Sequence, residues 1–109
     1  MITNQTNHHT ISPKELICKS IFSQARGLMF RRKHNLIMIF PEERQINLHM
    51  FFVFFPIDVL VLNKNKKIVE IKRNFRSFTF WNSKEKGKYL VELAYPNRYE
   101  VGNKLVFKN

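Results

Sequence analysis

The stretch LHMFFVFFPIDVLVL, residues 48–62, decides between the possible folds of this chain because it is the most apolar part of the sequence. Its ionisable residues are His49 and Asp58. A membrane-spanning helix needs about 20 consecutive apolar residues, and Pro56 and Asp58 divide this stretch into shorter pieces. Before Met50 apolar and polar residues alternate, whereas after it both strand faces are apolar, which is typical of strands covered on both sides. We therefore predict interior strands, with a bend or an edge at Pro56.

The remaining sequence predicts short strands separated by turns, with one exception. Apolar residues recur at intervals of three and four between residues 20 and 29, and Ser20 is a suitable N-cap, so this segment is predicted to be one short helix. Residues 41–44 and 82–87 are predicted to be a turn and a loop. The fold class that follows is α+β, mainly β: a compact domain of about seven short strands in a partly closed, barrel-like sheet, since closure removes exposed strand edges.

Length and composition favour a single domain. The chain has 109 residues, and the polar, aperiodic residues 1–12 are predicted to be a flexible tail ahead of one domain over residues 13–109. Cys18 is the single cysteine, so no intramolecular disulfide can form. Because no apolar leader is visible at the N-terminus, we expect a cytoplasmic protein without a membrane span.

The net charge predicts an anionic partner. Nineteen Lys and Arg residues stand against eight Asp and Glu residues, a formal charge of +11, and this excess favours nucleic acid or another polyanion. Phe75, Phe78 and Trp81 lie among these cations in sequence, and single-strand binders use cations for phosphates and aromatic rings for bases. The alternative is that the lysines form a solvated hairpin tip and the aromatic residues belong to the core. The predicted polyanion-binding residues are Arg31, Arg32, Lys33, Lys64, Lys66, Lys67, Lys72, Arg73 and Arg76.

A second hypothesis is an enzyme or a small-ligand binder with a pocket around Arg26, His49 and Asp58. Asp58 begins an apolar strand, so its carboxylate needs a partner if it is buried, and Arg26 is the candidate. The alternative is that Asp58 accepts hydrogen bonds from backbone N–H groups of the turn after Pro56, while His49 faces solvent. The predicted pocket residues are Arg26, Met29, His49, Met50, Asp58 and Glu92.

Motifs that would identify a cofactor or a metal are missing from the sequence. There is no Gly-rich phosphate loop, no Cys-x-x-Cys pair and no His-Glu-x-x-His spacing. We therefore predict no catalytic residues, cofactor or metal. The favoured function is that of a small cytoplasmic binding or accessory module whose basic surface engages an anionic partner such as nucleic acid, with the oligomeric state left open.

Four motifs in order resemble the family known as domain of unknown function 192. They are residues 26–31 (RGLMFR), residues 39–43 (IFPEE), His49-Met50 leading to residues 56–58 (PID), and residues 89–93 (YLVEL) followed by 101–104 (VGNK). The resemblance covers about residues 17–107. It implies a compact β-rich fold with a single helix near the start, and it implies little about chemistry because the family has no assigned activity.

The chain departs from the pattern of that family at two places. Phe51-Phe52-Val53 stand where many members carry a polar Lys-Asn-Thr-like run, and Asn103 stands where many members have Asp. A polar site in such relatives would therefore be altered in this chain.

Overall fold

The computed structural model describes residues 1–18, 33–50, 53–95 and 97–108, with His49 described by its backbone alone. These residues contain eight strands. The strands are β1 (Ile2–Asn4), β2 (His9–Ser12), β3 (Glu15–Cys18), β4 (Asn35–His49), β5 (Ile57–Leu62), β6 (Ile68–Phe75), β7 (Phe80–Leu93) and β8 (Leu105–Val106).

The strands form two sheets. The large sheet has five strands in the order β3-β4-β7-β5-β6, and the small sheet has three in the order β2-β1-β8. The β3–β4 pair is parallel and the other pairs are antiparallel. An isolated bridge between Lys67 and Lys104 links the start of β6 to the segment before β8. The two ends of the chain therefore meet at the small sheet.

Strand β5 lies inside the large sheet and is buried along its whole length, Ile57–Leu62. Val59 and Val61 belong to one apolar cluster, and Leu60 and Leu62 belong to another. Successive side chains of a strand point to opposite faces, so each face of the sheet has its own core. The prediction of an interior strand covered on both sides is confirmed here. Each fully buried Leu or Val side chain contributes about 1.5–3 kcal/mol to stability.

One face of the large sheet is covered by its own two longest strands. Beyond Ile39 and Tyr89 the β4–β7 pairing is irregular, and the distal part (residues 44–49 with 80–87, here the β4–β7 ribbon) packs over the cluster that contains Val61. Ile46 is buried in that cluster, and Trp81 packs edge-on against Phe75 with ring centroids 6.4 Å apart. We call this face the ribbon side.

The opposite face is covered by the small sheet, and we call it the small-sheet side. Ile2 and Ile11 from β1 and β2 share a cluster with Leu60 of β5 and with Leu105 of β8. The residues predicted to be a flexible polar tail, 1–12, thus contain two strands with buried side chains. The sequence pattern did not indicate this because two isolated isoleucines have no period, and their burial depends on pairing with β8 from the far end of the chain.

The predicted fold class is wrong. The described residues contain no helix and no closed barrel, so the domain is all-β there rather than α+β with a barrel-like sheet. Within the described residues, the large sheet ends at β3 and β6 and does not close on itself. The helix predicted over residues 20–29 lies outside the described residues.

Two predicted connections are also wrong. Residues 41–44 lie within β4, and residues 82–87 lie within β7. Irregular pairing occurs near both positions, between Ile39 and Arg44 and between Gln45 and Asn47. Turn-like residues therefore mark bulges in long strands here. Within the part of the chain that the structure describes, no helix is long and apolar enough to cross a membrane.

Candidate functional site

Asp58 is the centre of a buried polar cluster on the small-sheet side. Its Oδ1 atom accepts a hydrogen bond from the backbone N–H of Asn74 at 2.9 Å. Its Oδ2 atom accepts one from the Tyr99 hydroxyl and lies 3.3 Å from Nη1 of Arg73. These three donors supply what a carboxylate in an apolar interior requires.

A bulge in β6 brings two of these donors to Asp58. Ile57 pairs with Phe75 and Val59 pairs with Lys72, so Arg73 and Asn74 together stand opposite Asp58. Asn74 has a positive φ of 50°, a conformation that Asn adopts more readily than most residues. The extra residue reorients the strand so that the Asn74 N–H and the Arg73 side chain both reach the carboxylate.

Tyr99 and Arg73 connect this cluster to the surface. Tyr99 is buried, and burial together with the hydrogen bond to Asp58 raises the pKa of its hydroxyl, which therefore stays protonated and donates. Arg73 donates from Nη2 to the Tyr99 carbonyl at 2.8 Å, and its guanidinium lies 4.8 Å from the centre of the Tyr99 ring. The Arg73 side chain is still 54% exposed.

Glu92 is the second buried carboxyl group singled out from the sequence. It lies in β7 opposite Leu36 and Val59, whereas Asp58 lies opposite Leu93. Partners in register share a face, so Glu92 points to the ribbon side and Asp58 to the small-sheet side. Burial raises the pKa of Glu92 from 4.5 to about 7.

The residues predicted to form one pocket are therefore divided. Asp58 and Glu92 are neighbours across two paired strands but face away from each other. Met50 is buried in the cluster on the ribbon side. Arg26 and Met29 lie outside the described residues, as does the side chain of His49. A pocket built from all six residues stays a prediction.

The predicted polyanion-binding residues are spread along β6 and beyond it. Lys64, Lys66 and Lys67 lie in the β5–β6 turn, while Arg73 and Arg76 lie at or beyond the other end of β6. Lys67 and Arg73 are six positions apart along the strand, which corresponds to about 20 Å. Arg31 and Arg32 lie outside the described residues. The described cations of this set therefore lie near the two ends of β6, the last strand of the large sheet.

Several of these cations also contact the protein itself. The Lys66 ammonium donates to the Phe107 carbonyl at 2.8 Å and lies 4.3 Å from the centre of the Phe107 ring. The Lys33 ammonium lies 5.0 Å from the centre of the Tyr95 ring. Lys64, Lys67 and Arg76 are exposed, and Lys72 is half-buried.

Surface aromatic residues form a patch that sequence reasoning identified only in part. Of the three aromatic residues predicted to lie near cations, Phe75 is buried, Trp81 is half-buried and Phe78 is 54% exposed. Phe80 and Phe54 join the exposed group with 72% and 63% of their surface accessible. Phe54 and Phe78 meet edge-on with ring centroids 6.2 Å apart. Phe54 gave no sequence signal, because it belongs to the apolar stretch that elsewhere forms the core.

In the part of the chain that the structure describes, Glu70 and Glu43 bind main-chain N–H groups. Glu70 Oε1 accepts hydrogen bonds from the backbone N–H groups of Lys84 and Glu85, both at 2.8 Å. Glu43 Oε2 accepts one from the backbone N–H of Lys64 at 3.1 Å. The ion pairs within the described ranges join the N-terminus to Glu15 and Arg73 to Asp58. Among the described residues, no lysine side chain forms an ion pair with a carboxylate.

The family model described as domain of unknown function 192 (DUF192), an uncharacterized ancient conserved region, matches residues 2–101. The chain belongs to the DUF192 family. The resemblance identified from its motifs is confirmed. Curated DUF192 relatives carry the name UPF0127 protein. One from Thermococcus sibiricus is 33% identical over 96 residues, and one from Pyrococcus horikoshii is 30% identical over 95.

These alignments cover 84% of this DUF192 chain in both cases. They cover 62% of the Thermococcus sibiricus protein and 82% of the Pyrococcus horikoshii protein, so this chain spans less than two thirds of the first relative. Neither relative's name assigns an activity.

Two solved structures share the fold of this DUF192 chain. One, a protein of unknown function from Novosphingobium aromaticivorans, has a TM-score of 0.81 with 16% identity, over 97% of this chain and 81% of that one. The other, from Sinorhizobium meliloti and provisionally described as a transcription regulator, has a TM-score of 0.77 with 21% identity. The alignment covers 96% of this chain and 88% of the Sinorhizobium meliloti chain. Identities this low show a common fold and nothing more.

Proposed function

We propose that this DUF192 chain is a cytoplasmic binding or accessory module that engages single-stranded nucleic acid. The observation that carries the proposal is a row of exposed side chains on β7, next to the aromatic patch. Phe80, Asn82, Lys84 and Lys86 occupy alternate positions of the strand and are all exposed. Phe78 lies immediately before this row. Exposed rings and ammonium groups thus lie along one strand.

The chemistry of this row suits a single strand better than a duplex. Aromatic rings stack on unpaired bases, with a contribution of about 1–3 kcal/mol for each base, whereas the bases of a duplex are already stacked on each other. Lysine ammonium groups attract the phosphates without reading the sequence. Binding is therefore expected to depend on salt and to be tolerant of base identity.

Two further facts support an anionic partner. The formal charge of +11 favours association with polyanions in general. Glu70 and Glu43 accept hydrogen bonds from backbone N–H groups, and no lysine side chain that the structure describes forms an ion pair with a carboxylate. The provisional description of the Sinorhizobium meliloti protein as a transcription regulator is a weaker support, since it rests on the fold alone.

The test is fluorescence anisotropy with a labelled 12-nucleotide oligothymidine at several salt concentrations. We expect Phe80→Ala to weaken binding by about 5-fold to 100-fold through lost stacking. We expect Lys84→Ala with Lys86→Ala to make the logarithmic salt slope less steep by about 0.7 for each phosphate contact removed. The matched control is Lys108→Ala, which removes an exposed cation from the segment after β8.

Two results would overturn the proposal. One is the absence of salt-dependent binding by the native chain. The other is equal binding by Phe80→Ala and Lys108→Ala, because the aromatic row would then contribute nothing. Circular dichroism of each variant shows whether its fold is retained.

A further inference from the structure

A polar cleft lies on the small-sheet side, and its lining residues do not include those of the aromatic patch. It has a volume of about 570 Å³ and lies between the β1–β2 turn and residues 97–103. Its wall includes Arg73, Arg98, His9, Asn7, Asn97 and Glu100. Two guanidinium groups, an imidazole and two amides therefore line one concave surface of a size that suits a small molecule.

We propose that this cleft binds a small hydroxylated molecule that carries a phosphate or carboxylate group. Arginine is well suited to both groups because its planar fork can donate two parallel hydrogen bonds to their oxygens. The asparagine amides can donate to, and accept from, hydroxyl groups. Glu100 disfavours a ligand that is anionic throughout and favours one whose charge is confined to one end.

The cleft is held in shape by side-chain amides that cross between its walls. Asn4, which is fully buried, donates from Nδ2 to Oδ1 of Asn103 at 2.8 Å. Asn97 donates from Nδ2 to the Thr10 carbonyl at 3.1 Å. These contacts join the β1–β2 hairpin to the segment that carries Arg98. A site whose walls are already joined loses less conformational entropy when a ligand binds.

Arg73 lines the cleft and is oriented by the Asp58 cluster. Its bonds to Asp58 and to the Tyr99 carbonyl use two of the five N–H donors of the guanidinium. The Tyr99 ring packs against the same group. The guanidinium is thus oriented by buried partners while 54% of the side chain remains exposed. This arrangement resembles a preorganised anion donor more than a solvated surface arginine.

Arg98 projects from a fixed main chain at the wall. Its backbone N–H donates to Oδ1 of Asn97 at 2.8 Å, and its carbonyl accepts from the amides of Asn4 and Asn7, both at 3.4 Å. These bonds belong to the main chain, so replacement of the side chain leaves them in place. Arg98→Ala is therefore a suitable variant for separating ligand binding from folding.

The test is a ¹⁵N–¹H NMR titration of the full chain at constant ionic strength. The probes are inorganic phosphate, glucose 6-phosphate and gluconate, with glucose as the uncharged control. We expect saturable shifts at the amides of Asn7, Asn97 and Arg98 with at least one anionic probe. We expect Arg98→Ala to weaken that binding about tenfold or more, and Lys108→Ala to leave it unchanged.

The probes distinguish the sources of the anionic group. Tighter binding of glucose 6-phosphate than of inorganic phosphate supports a phosphate ester, equal binding supports recognition of the phosphate alone, and binding of gluconate supports a carboxylate. The proposal is overturned if no anionic probe produces saturable shifts up to about 20 mM, a range that covers weak metabolite sites. It is also overturned if Arg98→Ala binds as the native chain does. Oligonucleotide binding by Arg98→Ala is measured separately, so failure here and failure of the proposed function remain distinct.

Discussion

Replacement of Glu92 by glutamine should change how the stability of this protein depends on pH. Burial of the Glu92 carboxyl group raises its pKa from 4.5 to about 7. The unfolded chain therefore releases this proton near pH 4.5, whereas the folded chain holds it until about pH 7. Between these values the folded state binds more protons, so the free energy of unfolding falls as the pH rises. Well above pH 7 the folded chain has also released the proton, so the free energy of unfolding falls no further through this group.

The displacement of the pKa gives the magnitude. At about 1.4 kcal/mol per pH unit it corresponds to about 3 kcal/mol of stability lost between the two pH values. Glutamine has nearly the same shape and does not titrate. We therefore expect the free energy of unfolding of Glu92→Gln, relative to that of the native chain, to rise by about 3 kcal/mol between pH 4.5 and pH 8, which corresponds to about 13 °C in Tm.

Urea unfolding at pH 4.5, 6, 7 and 8 provides the assay, with the fluorescence of Trp81, the single tryptophan, as the signal. All other residues are common to both proteins, so their contributions cancel in the difference. The matched control is Glu85→Gln, an exposed residue of β7, for which the difference should stay within about 0.5 kcal/mol at every pH. A stability difference between Glu92→Gln and the native chain that is the same at every pH would refute the reasoning, because the carboxyl group would then titrate alike in both states.

The remaining predictions use the same unfolding assay and concern packing and the Asp58 cluster. A Cβ atom at Gly87 would lie 2.5 Å from Cγ1 of Val61, so Gly87→Ala should cost about 1–3 kcal/mol, and Val61→Ala in the same chain should restore part of that loss. Simple addition of the two single costs would contradict this contact. Tyr99→Phe removes one donor from the buried Asp58 carboxylate and should cost about 1.5–3 kcal/mol, while exposed Tyr95→Phe should cost less than about 0.5. Equal effects of the two tyrosine changes would mean that the hydroxyl contributes nothing. Leu60→Ala leaves a cavity in a fully buried strand and should cost about 2–5 kcal/mol; a cost no larger than that of half-exposed Val106→Ala would contradict the central place of β5.

The sequence predicted one feature of the candidate site, which is that the Asp58 carboxylate needs a partner. It did not predict the other features. Asp58 begins an apolar strand, and the structure supplies three donors for it. Their identity was not predictable, because Arg73 and Tyr99 lie 15 and 41 positions away along the chain. The bulge that turns Arg73 and Asn74 towards Asp58 depends on the register between β5 and β6, which no local pattern encodes. Arg26, the predicted partner, lies outside the described residues.

The sequence by itself determined that residues 57–62 would be an interior strand, because every position but one is apolar and a strand with two apolar faces is stable only when both are covered. It also determined the family, through motifs that need no knowledge of the fold. Only the tertiary structure decided which elements cover those faces: the β4–β7 ribbon on one side and, on the other, a small sheet made from the two ends of the chain. The physical reason is that hydrophobic burial is not directional. An apolar face of a sheet must be covered, but its residues do not specify which element covers it. Strand pairing between residues far apart in sequence determines that element.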